Sequence, residues 1–579
     1  GSGFMRYNTV NEFTRQYQNG TGGAMISTRN ASFSNNKTIQ YSYNAFLQYD
    51  KSFNGHNLSV MGGGEFYNYE QYLSSASASG GSTDYVPWLS GSTLATSVPS
   101  SSFSQWDRLA SGIGRVNYNY DSRYLLTVNL RYDGSSRLNG NYFELFPGVS
   151  AGWNLHNEDF FHNSSVSKFI STIKPRVSWG QNGNIQSLSY FTTDPTYNDV
   201  GIYNGVAGFG PNSIVNTAMK WEKVSALNLG IDLGLLRNRV TIMADYFVRD
   251  VFDKIAQMPI PSWTGFSTYS TNLGQLQNRG VEAEVKVNII KPVKNGGFSW
   301  DVSANFSHVK SYALRLPDNG LARNRQSTIQ VYDPKTGAIA NVGGLQEGRR
   351  IALDEVWAYA FDGLYTTQDE LNKAANLYNA NLSYNNKRLK FLGDARWRDV
   401  DGNDTINLYD KVYVGRTTPT ATGGFSTFAS WKGFSLYVQM DYALGFVIMN
   451  QSWLRGMSQV QGSQNGPVDI KKTWTPDNPN ATLPSYSWTN YLQNYGAFAN
   501  YWQKGDYLAL REVTLSYEMP ARLLKGIFNQ RVAGLRAYVT GSNLAYLTAY
   551  DGTLPEEGGD DPGRFPLPRR ITLGINLTL

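Results

Sequence analysis

The last nine residues alternate without a break: Ile571, Leu573, Ile575, Leu577 and Leu579 share one face, and Thr572, Gly574, Asn576 and Thr578 share the other. Side chains of a strand repeat every two residues, so this segment has one apolar face and one small polar face. Such a strand suits a position between lipid and a wet lumen. The pattern recurs along the chain. Tyr41, Tyr43, Ala45, Leu47 and Tyr49 oppose Ser42, Asn44, Gln48 and Asp50, and Tyr124, Leu126, Val128, Leu130 and Tyr132 oppose Leu125, Thr127, Asn129 and Arg131. It returns at Leu227–Leu235, Val281–Ile289 and Phe434–Tyr442. Many of these runs reach the roughly 9–11 residues that a tilted strand needs to cross a bilayer.

The connections between runs differ in length. Short ones fall at Phe53-Asn54-Gly55, Asp121-Ser122-Arg123, Arg237-Asn238 and Trp431-Lys432-Gly433. Long ones occupy 72–105, 182–217, 253–268, 311–416, 445–504 and 547–568. Short turns on one side and long loops on the other are the asymmetry of an outer-membrane barrel. Counting back from Leu579 puts the C-terminus on the periplasmic side, with about 16 strands from residue 24 onward and a further one in 3–12. Barrel strands with extracellular loops are expected over 1–310, a long extracellular excursion over 311–416, and C-terminal strands with an aromatic-rich loop at 445–504 over 417–579. The fold class is all-β, a transmembrane antiparallel β-barrel.

Composition supports that class and excludes others. Charged residues are 17% of the chain, and 38 Tyr and 14 Trp suit rings placed at lipid headgroups. Tyr118, Tyr120 and Tyr124 flank one short turn and Trp431 and Phe434 another, as an interfacial girdle would. No run of 18 apolar residues exists, so a helical membrane protein is excluded. The net charge of +6 has no Lys/Arg-rich block, which argues against nucleic acid. Cysteine is absent, and with it disulfide and thiolate chemistry. Gly1-Ser2-Gly3-Phe4 has neither a basic nor an apolar signal region, so a mature chain or a piece of a longer one is expected.

Several segments resemble the SusC/RagA family of TonB-dependent outer-membrane transporters. They include Arg131-Tyr132-Asp133-Gly134-Ser135-Ser136-Arg137, Phe146-Pro147-Gly148-Val149-Ser150-Ala151-Gly152-Trp153 and Lys174-Pro175-Arg176-Val177-Ser178-Trp179-Gly180-Gln181-Asn182-Gly183-Asn184. Asn278-Arg279-Gly280-Val281-Glu282 and Thr473-Trp474-Thr475-Pro476-Asp477-Asn478-Pro479 continue the series in the family's order. The resemblance implies a barrel of about 22 strands that imports oligomeric nutrients, glycans or peptides. It further implies a SusD-like surface lipoprotein as lid, TonB acting through a plug, and dimers of transporter–lipoprotein pairs. This chain would supply roughly 16–17 of those strands. No plug-like segment or TonB box is evident, so the plug and some five strands are expected before Gly1 or on another chain. Leu579 stands where an outer-membrane protein more usually ends in an aromatic residue.

Two constellations could carry chemistry. Asp399, Asp401 and Asn403, the Thr405 carbonyl and Asp410 fall at positions 1, 3, 5, 7 and 12 of an EF-hand-like loop, with calcium as the candidate ion. Position 6 is Asp404 instead of Gly, and an Asx-rich turn is the alternative. In the loop at 445–504, Trp453, Trp474, Trp488, Tyr491 and Trp502 offer flat faces for a substrate or lid, the alternative being that they pack the loop itself. Glu282, Glu284, Lys286 and Asp232 are expected to brace the lumen. His56, His156, His162 and His308 stand singly, and Gly62-Gly63-Gly64 lies within a strand pattern with no helix after it, so no catalytic residue is assigned. The glycine triplet reads instead as a bulge or a close backbone approach. The chain is thus expected to be a non-enzymatic import barrel, the alternative being a passive porin-like channel or structural barrel subunit.

Overall fold

The computed structural model describes the chain except residues 15–16, 19–24, 27–29, 82, 84, 87, 90–93, 293–295, 375, 378–389, 459–465, 488–493, 496–500, 521–522, 525–531 and 579. Among the described residues sixteen strands have nine residues or more. They are β1 (Ser2–Thr14), β2 (Asn30–Phe53), β3 (His56–Gly81), β4 (Leu94–Tyr120), β5 (Tyr124–Ser135), β6 (Phe143–Trp153), β7 (Ile170–Asn184) and β8 (Glu222–Leu235). The series continues with β9 (Val240–Pro259), β10 (Thr268–Ile290), β11 (Ser299–Arg315), β12 (Ala421–Trp431), β13 (Phe434–Leu444), β14 (Tyr507–Glu518), β15 (Gly534–Thr548) and β16 (Arg570–Thr578). The chain forms two compact units, one of Gly1–Asn154, Arg176–Leu227 and Arg249–Gln275, the other of Leu155–Pro175, Asn228–Val248 and Leu276–Leu579.

In the first unit β1 to β6 form an antiparallel meander, and residues 176–180 of β7 pair with β6. Two-residue turns need left-handed backbone, which Asn54 (φ 45°) and Gly55 (φ 81°) supply between β2 and β3. The register lines up whole rows of like residues. Tyr49, Val60, Val116, Val128 and Val149 lie side by side on one face, and Asp50, Ser59, Asn117 and Thr127 on the other. The polar face bonds to itself: Arg131 Nε donates to Asp133 at 2.7 Å, Arg131 Nη2 to Ser111 at 2.9 Å, and Arg115 Nε to Asn129 at 2.7 Å. Among the described residues the apolar face has no second layer over it, and Leu47 on it is 85% exposed. A soluble sandwich would bury that face against another sheet, so this sheet is built for an apolar surrounding.

The second unit repeats the arrangement with β11 to β16 as successive antiparallel neighbours. Trp300, Ala429, Leu436, Leu515, Val539 and Leu573 make an apolar row. Its polar face carries paired hydroxyls, Ser303–Ser426 at 2.7 Å and Thr514–Thr540 at 2.7 Å. On the polar face of β10, Lys286 and Glu284 pair at 2.6 Å.

Rings gather at the short turns. Phe53 stacks on His56 at 5.1 Å, Tyr120 on Tyr124 at 6.4 Å, and Tyr124 on Trp153 at 6.3 Å. At the Lys432-Gly433 turn Phe434 meets Tyr517 at 4.5 Å. In each unit, rings at the short turns match the girdle arrangement.

The connection expected over 72–105 is shorter than the sequence suggested, because β3 runs to Gly81 and β4 starts at Leu94. These extensions are rich in Ser, Ala and Gly, so they carry no alternation to read; main-chain pairing such as Leu73 with Phe103 holds them. Register is continuous through Gly62–Gly64, so the glycine triplet makes no bulge.

Candidate functional sites in the long loops

The excursion between β11 and β12 and the loop between β13 and β14 fold together within the second unit. Tyr359, Ala395, Trp397, Ile406, Met457, Tyr495 and Tyr501 form a buried core, with Trp453, Leu454, Ile470, Leu483 and Tyr486 packed on it. Buried polar groups fix its geometry. Asn494 Nδ2 donates to Asp394 Oδ1 at 3.0 Å, and its own oxygen accepts from the Ala395 N–H at 2.9 Å. Ser485 Oγ donates to the same Asp394 oxygen at 2.9 Å, while Asp394 Oδ2 accepts from the Phe391 N–H at 2.7 Å. Burial pushes the neighbouring Tyr365 hydroxyl up to about 12. Nothing in the sequence marks Asp394 or Asn494, because single polar residues carry no period.

The five ring residues expected to meet a substrate or lid divide. Trp453 turns into the core, edge-on to Tyr501 at 5.0 Å, with its indole N–H on Asp469 at 3.0 Å. Trp474 lies against the Gly393 backbone, where a Cβ would run into its ring; its indole N–H is buried with no acceptor among the described residues. Trp502 is half-buried on the short strand Trp502–Lys504, beside Met449. Trp488 and Tyr491 lie outside the described residues. Trp453 and Trp474 thus follow the packing alternative.

The acidic loop brings ligand oxygens of Asp399, Asp401 and Asp410 within 4.8 Å of one another. Asp404, at the sixth position, adopts φ 57°, the left-handed turn that Gly more often supplies and Asp tolerates. Asp399 accepts from the Gly402 and Asp404 N–H groups, each at 2.8 Å, and Asp410 from Val400 at 2.8 Å and Asn407 at 2.7 Å. Asn403 Nδ2 donates to Asp401 at 2.8 Å, and the Thr405 carbonyl accepts from Asn407 Nδ2 at 3.2 Å. Burial pushes the Asp401 carboxyl up, and the negative charge of Asp410 and Asp399 beside it adds to that.

The loop before the last strand has its own anchors. Arg511, at a register shift in β14, ties Asp441 of β13 to Glu556 of the loop, and its Nη1 reaches the Tyr546 hydroxyl at 2.8 Å. Asp561 is fully buried and accepts from the Tyr550 hydroxyl, the Thr553 N–H (both 2.8 Å) and the Gly563 N–H (2.9 Å). Burial works to raise its pKa, but these donors together hold the carboxyl below the usual range. In the first unit Glu222, 1% exposed, is a buried anchor of its own: it accepts from Asn184 Nδ2 and the Ile255 N–H, each at 2.8 Å.

A two-faced sheet with ringed short turns and a folded core in the long loops defines a membrane β-barrel, and the comparisons supply its family. The model described as TonB dependent receptor-like, beta-barrel matches residues 2–343, more than half of the chain. The chain belongs to that family, whose barrels sit in the outer membrane. It is 29% identical over 558 residues to TonB-dependent receptor P3 of Formosa agariphila, covering 92% of this chain and 51% of that protein. Against TonB-dependent receptor SusC of Bacteroides thetaiotaomicron the identity is 25%, covering 97% and 53%. The RagAB peptide importer in its "open-open" state has the same fold, with TM-score 0.77 at 21% identity, covering 99% of this chain and 58% of that one. The chain thus spans about half the length of the curated relatives it matches.

Proposed function

We propose that the chain is the larger barrel part of a SusC/RagA-type transporter that imports oligomeric nutrients, glycans or peptides, across the outer membrane. The observation that carries this is the likeness to SusC and to the RagAB fold along 97% and 99% of the chain, with hydrogen-bonded polar rows on the inner face. The short turns lie on the periplasmic side together with the C-terminus, and the long loops face outward, where a SusD-like lipoprotein covers them. TonB acts through a plug carried outside this chain. The barrel's own residues do no bond chemistry: the lumen rows solvate the passage, and the loop anchors at Asp394, Arg511 and Asp561 hold the mouth in shape. Two such transporter–lipoprotein pairs associate as a dimer.

Uptake of labelled oligosaccharides and peptides by cells with and without this gene, and with and without TonB, tests the reading. Uptake that needs both supports it. A constitutive ungated conductance in planar bilayers, independent of TonB, establishes the porin-like alternative instead.

Calcium in the 399–410 loop belongs to the same proposal. Side-chain oxygens of Asp399, Asp401, Asn403 and Asp410 with the Thr405 carbonyl form a hard oxygen donor set of the kind calcium takes. A cation there offsets the burial and the neighbouring carboxylate charge that raise the Asp401 carboxyl. Chelation should lower the loop's melting temperature and calcium should restore it; no response to either rules the ion out.

A further inference from the structure

We infer that the lipid-facing side of β2 to β6 holds a fixed groove for one acyl chain of an anionic membrane lipid. This rests on the outer-membrane placement of the family and not on the transport reading. The groove has a volume of about 400 Å³. Its floor is Gly64 and Gly112, paired across β3 and β4, and its walls are Tyr43 and Phe66 on one side and Tyr132 and Phe143 on the other. The rings brace one another, Tyr41 with Tyr43 at 5.6 Å and Tyr132 stacked on Phe143 at 5.1 Å. The outermost walls, Tyr43 on β2 and Phe143 on β6, are four strand spacings apart, so their backbones stand roughly 19 Å apart, leaving an extended slot.

The glycines on its floor are not demanded by the protein itself. None of Gly62, Gly64, Gly112 and Gly114 has left-handed backbone. A Cβ at Gly62, Gly112 or Gly114 would meet nothing within 4 Å, and at Gly64 only the Ser111 carbonyl oxygen at 3.2 Å. Several other strand glycines have a ring over them: a Cβ at Gly134 would run into Phe143 and one at Gly574 into Tyr538. Glycine inside a strand weakens it, and an uncovered one marks a close approach by something else. On a face bathed in hydrocarbon that something is an alkyl chain, and the groove continues the surface that already meets lipid.

Charge at one end selects the headgroup. Two residues beyond Ala110 on the same face, roughly 7 Å along the strand, stands Arg108, its side chain 55% exposed. Its Nε donates to Asn68 at 3.0 Å, and its Nη2 makes a long ion pair with Glu70 at 3.8 Å. Along that face Asn68, Arg108 and Glu70 stand beside the exposed ring of Trp106, the mixture of polar groups and Trp found at a headgroup level. A guanidinium at that depth meets a phosphate.

Native mass spectrometry of detergent-purified protein, titrated with dipalmitoyl phosphatidylglycerol and with the phosphatidylcholine of the same chains, tests this. One tightly retained phosphatidylglycerol per chain is expected. Gly112→Leu fills the floor and should weaken retention about tenfold, whereas Gly114→Leu, outside the lining, should leave it unchanged. Arg108→Gln should abolish the preference for phosphatidylglycerol while keeping chain binding. If Gly112→Leu fails to fold by heat-modified gel mobility, Gly112→Ala and Tyr132→Ala carry the same test with smaller losses. Equal retention by the filled and open grooves overturns the inference. So does a two-chain species that Gly112→Leu dissolves, which would make the occupant a second copy.

Discussion

In the sheet of the first unit the large apolar side chains are the exposed ones, whereas in the loop core of the second unit they are the buried ones. Leu47, Tyr49 and Leu130 stand outward with nothing over them, while Met457, Tyr495 and Tyr501 have almost no exposed surface. The polar groups are reversed as well. Arg131, Asp133 and Asn129 bond across an open face, and Asp394 and Asn494 bond inside a closed one. Each region satisfies its backbone and its polar side chains; they differ in the medium around them. A surface against hydrocarbon has no reason to hide Leu, and a loop in water must build a core as any soluble domain does.

Substitutions that suit one medium should therefore fail in the other. The largest effect is expected in the loop core, where Met457→Ala leaves a cavity costing about 2–5 kcal/mol; limited proteolysis should speed within the loops while the barrel keeps its heat-modified gel mobility. Loss of that mobility would mean the core and the sheet are one cooperative unit. On the sheet, Val116→Arg places a charge in the middle of the row Tyr49–Val60–Val116–Val128 and should cost about 2–4 kcal/mol in urea titrations in lipid vesicles. The neighbouring inward change Asn117→Arg should cost far less, and equal costs would contradict the assignment of faces.

A smaller effect follows pH. Burial holds Tyr365 neutral with its pKa raised to about 12. The unfolded hydroxyl ionises near 10, so this stabilisation is fully present below that pH and is lost as pH rises through 10 toward 12. The loop core should lose up to about 2–3 kcal/mol across that window, and Tyr365→Phe should flatten the slope. Smallest is Asn494→Ala, which removes one donor from buried Asp394; a loss of about 1–3 kcal/mol confined to the loops is expected from the same proteolysis assay.

The strands were legible because a face against lipid and a face against water impose a period of two that no internal packing blurs. Tyr124–Tyr132 shows it residue by residue, and the short turns carry their own chemistry in Asn54-Gly55 and Lys432-Gly433. The upper parts of β3 and β4 were not legible, since Ser, Ala and Gly on both faces leave no alternation. The acidic loop could be read because its spacing is local. The directions of Trp453 and Trp474 could not, because both are set by partners distant in sequence, Tyr501 and Gly393. The same holds for Arg511, whose two carboxylates come from β13 and from the loop before β16.

The chain contains no cysteine, which allows a single-cysteine scan along β5 without background. Spin labels placed in turn at positions 125 to 131, read by their relative accessibility to oxygen and to a water-soluble nickel complex in lipid vesicles, address the two media directly. Oxygen should dominate at Leu126, Val128 and Leu130 and nickel at Leu125, Thr127, Asn129 and Arg131. Uniform accessibility, or alternation in the opposite phase, would contradict the account.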